Sequence, residues 1–375
     1  MEQHELGSAL AWDELEPDPD ATLLADLQAD IERYVEWPSP AHGLVLATYV
    51  VHTHLIEAAF VTPYIYISSA GPATGKTRAM DVLSTYVRNA DSGTDSPPHV
   101  LGQEIAADCP TLFFDEVDTV WAGTANNGLK RILNIGYMRG AVIKRQRANQ
   151  VEKWSVFSPK VLAGIRNNHL PQSLLSRCIP IEMLPRKREL ERFNKFHIVR
   201  DPKHMELVER VAYFAESFML DVANQRPEPL KVLDDRQNEI IEPLLAIAAV
   251  LGREDDLREA LRTIFRKQVG KATREQVLLA RIKKAFDRQA LAGRPTDKIF
   301  TEDLLAGLGS AYTPRLLGIL LREMGFIRTA EETIRIGTYT KRGYDRKDFE
   351  PLFARYLDIE RPVSFDVETE ESEDE

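Results

Sequence analysis

Cysteine is scarce in this sequence of 375 residues: Cys109 and Cys178 are its two copies. So wide a separation excludes a disulfide framework and a cysteine metal knuckle, and a reducing cytoplasm is the expected compartment. Long apolar runs are missing as well. Leu244 to Leu251 is among the longest, far short of the ~18–20 residues that a membrane span requires, so no membrane partner is expected. Basic residues are absent from both ends. The opening Met1-Glu2-Gln3-His4-Glu5 is acidic where an export signal would be basic, and no export is expected. No repeat of about 20–50 residues is visible, which excludes solenoids and propellers.

What is present is the composition of an ordinary globular chain, 43% hydrophobic and 28% charged, which excludes collagen-like, mucin-like and wholly disordered classes. The length suits two or three domains. The formal charge of −10 is carried by the ends: seven acids within residues 1–20 and seven within 366–375. Without those fourteen acids the body carries +4, so the whole-chain charge does not exclude a polyanionic partner. The acidic ends are expected to be solvated tails.

Along the body, helical periodicity over Thr22 to Val35 and Ala41 to Phe60 gives way to alternating strands and helices. Strands are predicted at Tyr64 to Ser68, Thr111 to Phe114, Lys160 to Ile165 and Cys178 to Met183, with helices at Thr77 to Asn89 and Asn127 to Met138. Such alternation predicts an α/β fold with a parallel sheet. From Glu189 to Gln268 the pattern is helical. Three short helices follow (Gln276 to Gln289, Thr301 to Gly307, Pro314 to Met324), then an alternating run from Thr333 to Tyr339 and a closing helix from Asp348 to Leu357. Helices followed by a β-ribbon is the order of a winged-helix unit.

The sharpest motif is Ala70-Gly71-Pro72-Ala73-Thr74-Gly75-Lys76-Thr77, a phosphate-binding loop with Ala70 at the place of the first glycine. A strand precedes it and a helix follows, the context that gives the motif meaning. Its backbone N–H groups would cradle the phosphates of ATP at a helix N-terminus. Lys76 would bridge the β- and γ-phosphates, the Thr77 hydroxyl would ligate Mg²⁺, and Arg78 borders the same site. The strand Thr111-Leu112-Phe113-Phe114 ends in Asp115 and Glu116, 38 positions beyond Thr77. Asp115 is assigned to the Mg²⁺ shell and Glu116 to the attacking water. Asp118 is expected to be a helix cap or surface acid.

After the strand ending at Ile165, Asn167 is the candidate for contacting the γ-phosphate, with Asn168 in reserve; plain loop polarity is the alternative. Arg177, just ahead of the last core strand, suits an arginine finger offered to a neighbouring subunit, or else an exposed structural arginine. His52 and His54, two apart on a helix, diverge and do not suggest a metal site.

These segments, together with Leu133-Asn134-Ile135-Gly136-Tyr137-Met138-Arg139-Gly140-Ala141, Leu174-Leu175-Ser176-Arg177-Cys178-Ile179-Pro180-Ile181, Glu242-Pro243-Leu244-Leu245-Ala246-Ile247-Ala248 and Lys341-Arg342-Gly343-Tyr344, resemble a P-loop ATPase family of unknown function. That family is common in actinobacteria, their phages and mobile elements, and is often fused to primase-like domains. The resemblance covers roughly residues 22–357 and implies an AAA+-like replication ATPase, similar in style to superfamily III and minichromosome-maintenance helicases. The architecture then implied is an acidic segment 1–20, N-terminal helices 21–60, an ATPase core 61–188, a helical lid 189–272, a winged-helix-like unit 273–360 and an acidic tail 361–375. Unlike the larger members of that family, this sequence is not expected to include a primase half.

Lys130 to Arg147 holds six basic residues and no acid. A β-hairpin is predicted from Ala141 to Phe157, and in helicases of the resembled type a hairpin here projects into a central pore. Lys144, Arg145, Arg147 and Lys153 are therefore candidates for DNA phosphates, a solvated ribbon being the alternative. Arg186 to Arg188 with Arg192 is a weaker set. Arg315, Arg322, Arg328, Arg335, Lys341, Arg342, Arg346 and Lys347 would line a winged-helix face for DNA or for protein.

The leading expectation is an ATP-hydrolysing DNA helicase or translocase of phage or mobile-element replication, a ring-forming homo-oligomer such as a hexamer. The alternative is a non-motor ATP switch, an initiator or helicase loader that binds DNA or replication proteins, because a nucleotide site does not specify its readout. A defence-related or regulatory ATPase is a third class.

Overall fold

In a computed structural model of the chain, the described residues are 20–357 apart from 94–95, 123–126, 148–149, 166–169, 270–273, 292, 310–311 and 329–332. The chain divides at Phe265 and Arg266 into two compact units.

Unit 1 is built on a five-stranded parallel sheet. Its strands are β1 (Tyr64–Ser69), β2 (Ala90–Ser92), β3 (Thr111–Phe114), β6 (Lys160–Ile165) and β7 (Cys178–Glu182), and β4 (Val142–Arg147) with β5 (Gln150–Ser155) forms a separate antiparallel hairpin. The spatial order is β2-β3-β6-β1-β7. β1 is apolar on both faces, aromatic and β-branched, and all six of its residues are buried, as a central parallel strand requires. Pro180 sits in β7, an edge strand where its missing N–H costs no ladder bond. Since all five strands are parallel, the C-terminal ends of β1, β3 and β6 lie along one edge of the sheet.

The helices Leu23–Glu32 and Pro40–His54 pack on each other and on the helices Pro202–Ser217 and Asp235–Val250. Helix Pro40–His54 is apolar round most of its circumference and is buried accordingly. The hydrophobic residues of 21–60, 61–188 and 189–265 belong to one continuous core, so the segments separated in the sequence fold as one body. A buried polar knot joins them: Asp30, 1% exposed, accepts from the Tyr86 hydroxyl at 2.5 Å and from Arg33 at 2.6 Å, and Arg33 also pairs with Glu191 at 2.8 Å. The bonds it donates to the Glu191 and Asp30 carboxylates hold the Arg33 guanidinium well above its ordinary pKa.

Unit 2 runs as helix Arg274–Leu291, β8 (Lys298–Phe300), helices Thr301–Leu308 and Pro314–Glu323, β9 (Thr333–Ile336), β10 (Tyr339–Asp345) and helix Glu350–Tyr356. Its three strands form an antiparallel sheet in the order β8-β10-β9, and it has its own aromatic core around Phe286, Phe349 and Phe353. The short strand β8 escaped the periodicity because three residues show no alternation.

Candidate functional site

The loop between β1 and the helix Lys76–Leu83 turns on two left-handed residues, Ala73 at φ 59° and Gly75 at φ 90°. Gly75 is the residue before the helix, and a left-handed residue there aims successive N–H groups into one concavity. Lys76 folds back over the loop, its Nζ donating to Ser69 Oγ at 2.6 Å and to the Gly71 carbonyl at 3.3 Å. Both acceptors are neutral. The Thr74 hydroxyl is buried and has no hydrogen-bond partner among the described residues. A half-buried ammonium on neutral oxygens and an orphaned hydroxyl in one loop fit an anion with several acceptor oxygens.

Asp115 and Glu116 follow the end of β3, two strand positions from β1 with β6 between. The Thr77 hydroxyl and Asp115 Oδ2 are 3.5 Å apart. Octahedral Mg²⁺, with oxygens at about 2.0–2.1 Å, separates adjacent ligands by ~3 Å, so this pair fits two neighbouring positions of such a shell with little movement. Asp115's other oxygen accepts from the Glu116 N–H at 2.9 Å. That bond orients the carboxylate. Glu116 is exposed and has φ 52°, a conformation that an ordinary residue adopts at a cost of about 1 kcal/mol or more. The Thr119 hydroxyl donates to the Glu116 carbonyl at 2.8 Å and keeps this turn closed. The two adjacent carboxylates thus have different surroundings, one beside Thr77 and one open to solvent. Asp118 accepts from the Ile165 N–H at 3.4 Å. It ties the end of β6 to the helix Val117–Ala122.

Ala70, Pro72 and Arg78 are exposed along the loop and helix, and the Arg78 guanidinium lies over the Phe193 ring at 5.7 Å. β6 ends between β1 and β3, but Asn167 and Asn168 lie outside the described residues.

Arg177 occupies the opposite end of the sheet. Its carbonyl accepts from the Tyr64 N–H at 2.9 Å, at the start of β1, whereas the loop follows the end of that strand. Five residue steps of about 3.3 Å separate the two places, ~17 Å. Arg177 cannot serve the loop of its own chain. Its guanidinium lies over Tyr137 at 4.7 Å, and its Nε is buried without a partner among the described residues.

The hairpin forms where it was expected. Its register sets Lys144 opposite Lys153 and Arg145 opposite Glu152, and both lysines are exposed. Gly102 admits the hairpin, since a Cβ there would come within 2.5 Å of Ile143 Cδ1 and 3.7 Å of Trp154 Cε3. Ile143 and Trp154 form the neighbouring cross-strand pair, so one face is seated on the helix Pro98–Asp108 and the lysine pair occupies the other. The side chains of Arg145 and Arg147 fall outside the described residues. Arg139, within the same basic run, is committed to structure: it donates to the carbonyls of Ala59, Ile56 and Glu57 at 2.9, 2.8 and 3.1 Å.

In unit 2, Arg346 pairs with Asp287 at 2.6 Å and Glu350 at 3.2 Å, Lys341 with Glu302 at 3.1 Å, and Lys347 with Asp345 at 3.5 Å. These three are partly neutralised within the unit. Arg315 remains exposed.

His52 bonds the Thr62 hydroxyl at 2.9 Å and His54 the Tyr86 carbonyl at 2.9 Å, in different directions. Among the described residues no cluster of three or more His, Cys, Asp or Glu could hold a metal, and no helix is long and apolar enough to cross a membrane.

Sequence reasoning missed three residues around this framework. Ser69 holds Lys76. Tyr137 carries Arg177. Lys160, fully buried, places its ammonium among the carbonyls of Gly136, Val156 and Ser158 and the Ser158 hydroxyl at 2.9–3.3 Å. No local pattern marks a lysine as internal; only the surrounding carbonyls reveal it.

A family model described as a protein of unknown function (DUF3631) matches residues 183–356. That span begins after β7 and includes neither the loop nor the carboxylates. No curated protein matches the chain.

Proposed function

We propose that the chain is an ATPase built on an AAA+-like P-loop core with a winged-helix-like second unit, working as a ring-forming DNA helicase or translocase. The observation that carries the nucleotide site is the Thr77–Asp115 pair, 3.5 Å apart, beside a loop whose Lys76 faces neutral oxygens. A hydroxyl and a carboxylate brought together across an intervening strand, at the carboxyl edge of a parallel sheet, suit a metal–phosphate complex.

The roles then follow from position. Backbone N–H groups at Gly75 and beyond take the phosphate charge, and Lys76 moves from Ser69 and Gly71 onto the β/γ oxygens. Thr77 and Asp115 would hold Mg²⁺, which supplies charge neutralisation on the phosphates when bound. Glu116, open to solvent, orients and deprotonates the attacking water. Arg177, too far from its own loop, is offered to the nucleotide of a neighbouring copy, and this supports the ring. The lysine pair of the hairpin supports DNA as the polyanion.

The test is direct. Purified protein should hydrolyse ATP in a Mg²⁺-dependent way, assemble on gel filtration with ATP and DNA, and unwind a forked duplex. An ATP-dependent complex that binds DNA without unwinding would replace the motor with the switch; wild-type turnover in Lys76→Ala would remove the site.

A further inference from the structure

Tyr137 is 5% exposed and carries two guanidinium groups, Arg177 at 4.7 Å from the ring centroid and Arg236 at 5.0 Å. Arg236 also donates to the Tyr137 hydroxyl and forms an ion pair with Glu239 at 2.5 Å. Among the described residues Arg177 has no carboxylate partner, and its Nε is buried with no acceptor. An unsatisfied buried donor costs stability.

The platform itself is rigid. The Tyr137 carbonyl accepts from the Thr62 N–H at 2.8 Å, and Met138 bridges to Val61 just ahead of β1. Gly136 is packed so closely that a Cβ would meet the Val156 carbonyl at 2.3 Å, and its own carbonyl is held by the buried Lys160 at 3.2 Å. Arg236 is rooted in the first turn of a helix closed by a capping box between Asp234 and Gln237.

We propose that Tyr137 and Arg236 are positioning residues for Arg177: the ring sets the plane of the guanidinium, and Arg236, neutralised by Glu239, fixes the ring through its hydroxyl. Arg177 is left, among the described residues, as the cation of the pair with no carboxylate partner, half-buried on a fixed surface. A flexible arginine would lose side-chain freedom on reaching a neighbour's phosphate; one held on an aromatic face has less to lose. This rests on the reading of Arg177 as a finger for a neighbouring copy, and the experiment separates the two.

Hydrolysis is measured for Arg177→Ala, Tyr137→Leu, Tyr137→Phe, Arg236→Gln and the double variant Tyr137→Phe/Arg236→Gln, with ATP affinity alongside. Arg177→Ala should lose about 10³-fold in kcat. Tyr137→Leu should lose about 10²-fold, the cost of a misplaced group, with ATP affinity unchanged. Tyr137→Phe and Arg236→Gln should each lose less, and their double variant should be no worse than Arg236→Gln alone, since that substitution already removes the bond to the Tyr137 hydroxyl. Co-assembly supplies a readout that general destabilisation would not move. Tyr137→Leu mixed with Lys76→Ala should regain activity, because an intact loop meets an intact finger, whereas Tyr137→Leu mixed with Arg177→Ala should not. Wild-type turnover in Arg177→Ala defeats the finger itself. Loss in Arg177→Ala with wild-type kcat in Tyr137→Phe and Arg236→Gln overturns the platform alone. Should Tyr137→Leu fail to fold, the Tyr137→Phe and Arg236→Gln comparison decides.

Discussion

At Asp115 and Glu116 one backbone torsion separates two chemically identical groups. The left-handed turn at Glu116, φ 52°, directs its carboxylate to solvent while Asp115 stays beside Thr77. The two residues should therefore fail differently. Lys76→Ala removes the cation proposed to face the phosphates and should nearly abolish hydrolysis. Glu116→Gln should retain binding of ATP with Mg²⁺ and lose turnover, because Asp115 and Thr77 are untouched. Nucleotide-binding fluorescence and phosphate release, read together, distinguish them; a Glu116→Gln protein that no longer binds would reverse the two assignments. Gly136 is a second residue-scale case, structural in kind. A methyl group there would press into the Val156 carbonyl at 2.3 Å, with backbone on both sides, so Gly136→Ala should destabilise unit 1 by ~1–3 kcal/mol, measured as a shift in the urea midpoint.

Between residues and the whole chain stands the β4–β5 hairpin. Its inner pair, Ile143 and Trp154, anchors it at Gly102, while Lys144 and Lys153 face each other outside. Like charges directly opposite on a ladder are unfavourable, and a phosphate backbone between them would relieve the repulsion. The open face carries no aromatic side chain, Trp154 being turned inward, so DNA held here would be read by charge and not by stacking. The double substitution Lys144→Gln/Lys153→Gln should weaken single-stranded DNA equally across sequences. It should also reduce the slope of log K against log salt by about 1.4, two phosphate contacts at ~0.7 each. The thermal midpoint should stay level or rise slightly. An unchanged salt slope would assign the DNA contact to another element.

For the whole molecule, buried ionisable groups set the pH window of stability. Burial pushes His52 down to about 3 from an ordinary 6.5, and His54 and His204 shift in the same direction. The unfolded chain thus binds more protons between pH 3 and 6.5, and stability falls as pH drops through that range. Burial also pushes Lys160 down to about 7 from 10.5. There the unfolded chain again holds the extra proton, so stability rises as pH climbs above 7. The gain ends near pH 9, where burial keeps the Cys178 and Cys109 thiols protonated while unfolded thiols ionise, and Tyr49 and Tyr64, raised well above their ordinary value by burial, add to the loss near pH 10. Urea midpoints should accordingly be lower at pH 5.5 than at 7.5 and highest between about 8 and 9. Within the acid limb, pH 5–6.5 isolates the histidines from the carboxylates, and His52→Gln should flatten it. A flat profile from pH 5 to 9 would contradict both assignments.

Local order alone was enough to make several features legible. The strand–loop–helix at 64–83, the strand ending in Asp115-Glu116, the hairpin at 142–155 and the helix–helix–ribbon order of unit 2 all rest on periodicity, turn residues and β-branched runs, which act between near neighbours. The short strands β2 and β8 and the helices Pro98–Asp108 and Val117–Ala122 were not legible, being too short or too weakly periodic to stand out. Tertiary structure alone decided what long-range packing controls. It brought Thr77 to Asp115 across β6 and set Arg177 at the far end of the sheet from its own loop. It buried Lys160 in a cage of carbonyls, spent Arg139 on the turn at residues 56–59, and merged three apparent segments into one core. Each of these depends on strand order, and strand order is set by which apolar faces bury together, a property of the whole chain that no local window contains.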